Sequence, residues 1–299
     1  MKFKNLDQNK AFIKNEAKRL GISVNAAYVT YYSKDLLKRL AQINYGELVV
    51  KGSFSQFVHL GYLSRPVLDI DLSSKSNHNQ SLILLYRSIY ESTDEIITYD
   101  ISKLPYQTPN GVYKISIVGK IQYPDDEKFI KIPINVDFKE KNSVIFETQF
   151  KSVEPLFKGD ERFFINTPSF EEHIAEKLYI IIHNKREDVL NTRIKDFYDI
   201  YNLHGCDYDI DKFTLYFQMM LYLYGDDPNN LTTDFLNNNY IKRHKEIWSR
   251  MQKKYEFTDQ SLEIDEAVYY TKAVLAELIQ KIRQGKYTEQ AKSLVKTIK

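Results

Sequence analysis

Apolar residues recur at helical spacing from the first turns of the chain. Phe12, Ala17 and Leu20 fall about a turn apart and are followed by Gly21, which predicts a helix that stops at the glycine. Ser23 is a candidate N-cap for a second helix through Leu36, Leu37 and Leu40, ending near residues 44–46. The period then changes. Glu47-Leu48-Val49-Val50 is a short run with β-branched residues before Lys51-Gly52-Ser53, and residues 55–63 predict a helix. Val67-Leu68-Asp69-Ile70-Asp71-Leu72 alternates apolar and acidic positions, the pattern of a strand with its carboxylates on one face. Residues 80–90 return to helix, with Leu82, Leu85 and Ile89 on one stripe. Residues 112–123 and 129–138 alternate again, and Pro124-Asp125-Asp126 between them predicts a hairpin. From Thr167 the pattern is almost all helical. Thr167-Pro168 opens one helix with Glu171 and Glu172 in its first turn, and others are predicted over 192–203, 212–224, 232–254 and 264–284. The whole reads as an α+β protein: a mixed sheet with flanking helices and an N-terminal helical cap over residues 1–165, then a helical lobe over 166–299.

Composition narrows this picture. The 299 residues have room for one large or two ordinary domains, and 43% hydrophobic content supports a real core and excludes wholesale disorder. A single cysteine, Cys206, excludes a disulfide framework and a cysteine-built zinc site. Lys and Arg number 42 against 40 Asp and Glu, so the net charge of +2 does not itself demand a polyanionic partner, although local clustering permits one. No signal-peptide pattern and no membrane-length apolar run is visible, so a soluble cytoplasmic protein is expected. Glycine is scarce, with ten residues, while aromatics reach 14%. Those rings serve either core packing or stacking on bases.

Several motifs are missing: GxGxxG, the P-loop, HExxH, CxxC and GxSxG. Three pieces in order carry candidate chemistry instead. Lys51-Gly52-Ser53 lies between a strand and a helix, where a glycine and a hydroxyl leave backbone N–H groups bare for a phosphate. An ordinary loop would look the same. Asp69 and Asp71 are spaced i, i+2 on a strand, so their carboxylates share a face and suit Mg²⁺, which takes one or two carboxylates plus substrate phosphates. A solvent-facing strand has the same alternation. Asp137, in Ile134-Asn135-Val136-Asp137-Phe138, is a third strand acid; if its strand lies beside the Asp69–Asp71 strand, three carboxylates converge.

The helical half adds a further set. After Pro168 the stripe Ile174, Leu178 and Ile181 is buried, and Lys177 sits at its margin with its stem packed and its ammonium free to reach outward. Arg193, Asp196 and Asp199 follow at i, i+3, i+6 on the next helix; a solvated face with Arg193–Asp196 or Lys195–Asp199 pairs would give the same spacing. Lys242, Arg243, Lys245 and Arg250 lead a basic stretch with Trp248 and Tyr255 interleaved, which is either a solvated helix face or an RNA-binding surface.

Taken together, the hydrophobic-Gly-Ser turn, the Asp-x-Asp strand and the third acidic strand resemble the nucleotidyltransferases of the DNA polymerase β superfamily. Ala175-Glu176-Lys177-Leu178 and Arg193-Ile194-Lys195-Asp196-Phe197-Tyr198-Asp199-Ile200 narrow the resemblance to the AbiEii/AbiGii nucleotidyltransferase toxins, which are similar to the MenT toxins; Arg65 ahead of Asp69 fits them too. The resemblance covers roughly residues 21–203. The turn departs from many relatives in lacking a second glycine.

What the resemblance implies is a polymerase-β-like core whose nucleotide binds in a cleft between the two lobes. Gly52, Ser53, Arg65 and Lys177 would hold the phosphates of an NTP. Asp69 and Asp71, joined by Asp137, would hold Mg²⁺, and Asp196 would position the acceptor or act as base. It further implies a toxin of a toxin–antitoxin pair active in abortive phage infection, with the tRNA 3′ end as acceptor. The antitoxin would be a separately encoded DNA-binding protein that need not form a stable complex. Two alternatives stand beside this: a protein kinase or AMPylator using the same pocket, and a catalytically silent nucleotide- or RNA-binding protein. Base identity and oligomeric state are not legible in the residues.

Overall fold

The computed structural model describes residues 3–298 except 45, 75–77, 92–95, 110, 125, 140–145 and 187–192. The chain divides into two compact units, Met1–Val144 with Thr148–Pro168, and Ile145–Glu147 with Ser169–Lys299.

The first unit opens with helices α1 (Leu6–Leu20) and α2 (Val24–Ile43). Both expected caps form. Gly21 takes a left-handed φ of 69°, and the Ser23 side chain accepts a hydrogen bond from the Ala26 N–H at 3.1 Å. Strand β1 (Leu48–Lys51) runs directly into helix α3 (Gly52–Leu60), which therefore begins at the glycine rather than at residue 55. Strand β2 (Asp69–Ser74), helix α4 (His78–Tyr90) and strands β3 (Ile97–Gln107), β4 (Val112–Ile121) and β5 (Ile130–Lys139) complete a five-stranded sheet of order β1-β2-β5-β4-β3. β2 and β5 are parallel and the other neighbours antiparallel, so the sheet is mixed and the class is α+β. β4 and β5 pair as the expected hairpin; Asp125 of its turn lies outside the described residues.

Strand β3 has no clear signature in the chain, because its register against β4 shifts at Lys103 and again before Tyr106, which breaks the two-residue period. Strands β6 (Thr148–Val153) and β7 (Phe163–Pro168) form a separate antiparallel pair that the pattern also misses. Thr167-Pro168 thus ends a strand. The following helix, α5 (Phe170–Arg186), is capped instead by Ser169, whose Oγ accepts from the Glu172 N–H at 3.3 Å.

One face of the five-stranded sheet is core. Ile70, Leu72, Ile115, Ile117, Ile132, Ile134 and Val136 are buried in a cluster with Leu36, Leu37 and Leu40 of α2. Each such side chain contributes about 1.5–3 kcal/mol on burial. Strand side chains alternate, so burying this set turns Asp69, Asp71, Lys114, Asn135 and Asp137 to the opposite face. The core thereby aims the candidate carboxylates.

The second unit is helical: α5, α6 (Lys195–Tyr201), α7 (Ile210–Leu223), a 3-10 turn (Pro228–Asn230), α8 (Asn238–Tyr255), α9 (Ile264–Arg283) and α10 (Thr288–Ile298). Leu178, Ile181, Phe197, Ile200, Phe217, Trp248 and Leu275 belong to its core. The helix expected from residue 232 starts at Asn238, because the Asn237 side chain accepts from the N–H groups of Asn239 and Tyr240. Helix α10 is absent from the sequence reading. Trp248 corrects another expectation: it is buried and its indole N–H donates to the Leu262 carbonyl at 3.0 Å, so it is core and not a surface ring. Among the described residues no helix is long and apolar enough to cross a membrane.

Replacing Ser23 by Ala removes the α2 cap and should lower stability by about 1 kcal/mol in urea unfolding followed by circular dichroism; an unchanged midpoint would show that the cap is dispensable.

Candidate active site

The site is built around the junction of β1 and α3. Gly52 has φ of 64°, a left-handed backbone that favours glycine, and a Cβ built on it would stand 1.9 Å from Asp71 Oδ2 and 2.8 Å from its Cγ. Only a residue without a side chain admits the Asp71 carboxylate against this backbone. Ser53, the next residue, is buried, and among the described residues its Oγ has no hydrogen-bond partner. The first turn of α3 carries no acidic residue, and Lys51 at the N-cap makes no side-chain capping bond. The start of the helix at Gly52 thus meets a carboxylate, and the next residue carries a buried hydroxyl without a partner, an environment suited to an anion bound with a cation. His59, farther along α3, is a structural group. Burial pushes its pKa down to about 4, and its Nε2 lies 2.9 Å from the Pro168 carbonyl oxygen.

Strand register places five residues in one row across the whole sheet. Lys51 of β1 pairs with Asp71 of β2, Asp71 with Asp137 of β5, Asp137 with Lys114 of β4, and Lys114 with Tyr106 of β3. Asp69 pairs with Asn135, two residues back on the same face. The structure therefore supplies the adjacency of the two acidic strands that sequence alone leaves open. Asp137, however, is engaged: the Lys114 ammonium donates to its Oδ2. The row reads lysine, carboxylate, carboxylate, lysine, so each acid of the central pair has a cation on its outer side.

The donor chemistry fits a hard divalent cation at Asp69 and Asp71, which share one face of β2, with the Asp71 carboxylate against the Gly52 cradle. A closed three-carboxylate cage is not gathered. Among the described residues no three His, Cys, Asp or Glu side chains are grouped tightly enough to hold a metal by themselves.

In the second unit, Lys177 of α5 is buried and its Nζ donates to Asp199 Oδ2 at 2.6 Å, with Asp196 Oδ1 at 3.6 Å. Asp196 is fully buried, and its Oδ2 accepts from Arg193 Nε at 2.8 Å. The spacing of Arg193, Asp196 and Asp199 is therefore not a solvated face: both acids are buried in an ionic network with Lys177. Lys195 does not pair with Asp199; its ammonium lies 4.6 Å from the Tyr255 ring centroid. The spacing names Asp199, but its pairing with Lys177 of the preceding helix is what the sequence reading missed. Replacing Asp199 by Ala leaves a buried ammonium with only the more distant Asp196, and should cost about 3–5 kcal/mol in denaturant unfolding. A loss below about 1 kcal/mol would mean that Lys177 is not held by this pair.

Arg65 is buried in the segment between α3 and β2, four residues before Asp69. Lys242, Arg243, Lys245 and Arg250 are all exposed on α8, opposite the buried Tyr240, His244, Ile247 and Trp248. They are on one polar face, as the helical period requires. Lys51 and Lys114 are the residues that strand alternation could have flagged on the acid-bearing face. Their place in the row depends on register, which needs the turn geometry as well as the pattern.

A protein-family model described as the AbiEii toxin nucleotidyl transferase of type IV toxin–antitoxin systems matches residues 35–276. A search of the curated proteins found no match. Among solved structures, JHP933 of Helicobacter pylori is similar at 16% identity and a TM-score of 0.48, over 91% of this chain and 99% of that one. A proposed nucleotidyltransferase of H. pylori is similar at 15% identity and a TM-score of 0.46, over 85% of this chain and 96% of that one. At that distance neither structure adds to the assignment, which rests on the family match.

Proposed function

The chain belongs to the AbiEii nucleotidyl transferase family of type IV toxins, and from that premise we propose that it adds a nucleoside monophosphate from an NTP to an RNA hydroxyl, that of the tRNA 3′ end. The observation that carries this reading is the approach of the Asp71 carboxylate to Gly52, which joins a phosphate-binding helix start to a cation-binding strand. Gly52 and Ser53 bind the triphosphate through backbone N–H groups and the Ser53 hydroxyl. Asp69 and Asp71 hold Mg²⁺, which when bound neutralises phosphate charge at the reacting centre. Arg65 supplies further positive charge to the phosphates, and Lys177 keeps the phosphate-binding role that the family resemblance implies. The acceptor oxygen forms a bond to the α-phosphorus, the bond from that phosphorus to the β-phosphate oxygen breaks, and pyrophosphate leaves. The hydroxyl proton passes to a carboxylate on the same sheet face.

Asp137 takes the third place beside Asp71 once Lys114 yields it. Asp196 acts as a positioning residue: full burial and its bond from Arg193 suit it to holding Lys177 rather than to taking a proton from an acceptor. The exposed basic face of α8 offers Lys242, Arg243, Lys245 and Arg250 to RNA phosphates. In the cell this makes a cytoplasmic toxin of abortive phage infection, opposed by a separately encoded DNA-binding antitoxin that need not bind it stably.

Purified protein incubated with Mg²⁺, total tRNA and each α-³²P-labelled NTP should label tRNA with one nucleotide, and Asp71→Ala should abolish the label. Label on protein instead of RNA would move the acceptor to a protein. No label on either, with NTP binding intact, would overturn nucleotidyl transfer by this chain.

A further inference from the structure

The acid-bearing face of the sheet continues beyond the catalytic row, and its composition is unusual. Moving along β4 and β5 from Lys114 and Asp137, the next paired positions on that face are Ser116 with Asn135, Val118 with Pro133, and Lys120 with Lys131. The last pair sets two ammonium groups directly opposite each other, an arrangement that costs stability in a sheet. Both lie over one ring, Phe129, at 4.9 and 5.4 Å from its centroid. That ring is 47% exposed, and among the described residues neither lysine has an ion pair. At the other end Tyr106, 60% exposed, stands beside Lys114 in the catalytic row. Asp100, opposite Val118 on β3, is the one further acid paired on this face; it already accepts from Tyr90 Oη and the Ile101 N–H, each at 2.8 Å.

Two uncompensated lysines around an exposed aromatic ring are the parts of a single-stranded nucleic-acid site, in which cations take phosphates and rings take bases. From Lys131 to Asp137 is six residues of extended chain, about 20 Å at about 3.3 Å per residue. That span accommodates a few nucleotides of single strand, with its terminal hydroxyl at the carboxylates. We propose that this face is the acceptor track: the single-stranded 3′ end of an RNA lies along β4 and β5, its phosphates on Lys120 and Lys131, its bases against Phe129 and Tyr106, and its terminal hydroxyl at Asp71 and Asp137. The inference rests on the nucleotidyl-transfer reading and names the part of the surface that presents the acceptor. It places the positioning of the acceptor within the first unit, on the same strands that carry the acids.

The test is fluorescence anisotropy of the full chain with a short 5′-fluorescein-labelled single-stranded RNA bearing a free 3′ hydroxyl, over a salt series, beside NTP binding by calorimetry. The Lys120→Ala/Lys131→Ala double variant should weaken RNA binding at least about tenfold and flatten the salt dependence by about 1.4 in log–log slope, the loss of two phosphate contacts. Its NTP affinity should be unchanged, and Phe129→Ala should weaken RNA binding without changing the slope. RNA binding and slope equal to wild type in the double variant would overturn the track, as would a wild type that binds no RNA. So would loss of binding confined to a Lys242→Ala/Arg243→Ala/Lys245→Ala variant of α8. The basal reading fails separately, by absence of any NTP-dependent labelling in the wild type.

Discussion

Asp71 can lie against the start of α3 only because residue 52 has no side chain there and adopts a left-handed backbone. The phosphate and cation sites proposed for the first unit depend on that contact. It brings a strand carboxylate up to the N-terminal end of a helix, two features that would otherwise repel and attract the same ligand. A phosphate alone would be pushed away by Asp71, and a cation alone by the positive end of the helix. A phosphate bound together with a divalent cation satisfies both, and leaves the buried Ser53 hydroxyl with a partner.

The sheet converts hydrophobic burial into placement. Because Ile70, Leu72, Ile134 and Val136 must face α2, Asp69, Asp71 and Asp137 must face the other way, and a one-residue slip of either strand would send the acids into the core. The same alternation on β4 delivers Lys114 to Asp137 and Lys120 to Lys131. Charge on this face is therefore under the control of the apolar residues behind it. The second unit works differently. Lys177, Asp196 and Asp199 are held in the interior by one another and by Arg193, and these pairings offset the cost of burying the charges. Such a network fixes the direction of the Lys177 ammonium at the expense of stability, a reasonable exchange only if the direction matters.

Much of this was legible in the residues. The Gly21 stop, the Ser23 cap, the Asp69–Asp71 alternation and the β4–β5 hairpin are local features, and local chemistry decides them. The family followed from short motifs, and the family match spans residues 35–276. What escaped depended on pairing or on breaks in periodicity. β3 lost its pattern to register shifts, and Thr167-Pro168 imitated a helix start while ending a strand. The adjacency of Asp71 and Asp137, the partner of Asp199 and the lysine pair at Lys120 and Lys131 are all relations between strands or helices far apart in sequence. Trp248 looked available for stacking because its neighbours on α8 are basic; its own position on the helical period faces the core.

The most direct measurement is a Mn²⁺ titration, read by electron paramagnetic resonance, of wild type, Asp71→Ala and Gly52→Ala, with circular dichroism to confirm that each is folded. A Cβ at residue 52 displaces the Asp71 carboxylate, so folded Gly52→Ala should lose Mn²⁺ affinity by at least about tenfold, in the direction of Asp71→Ala. A folded Gly52→Ala that binds Mn²⁺ as wild type does would contradict the account, because the cation site would then not depend on the contact between that backbone and Asp71.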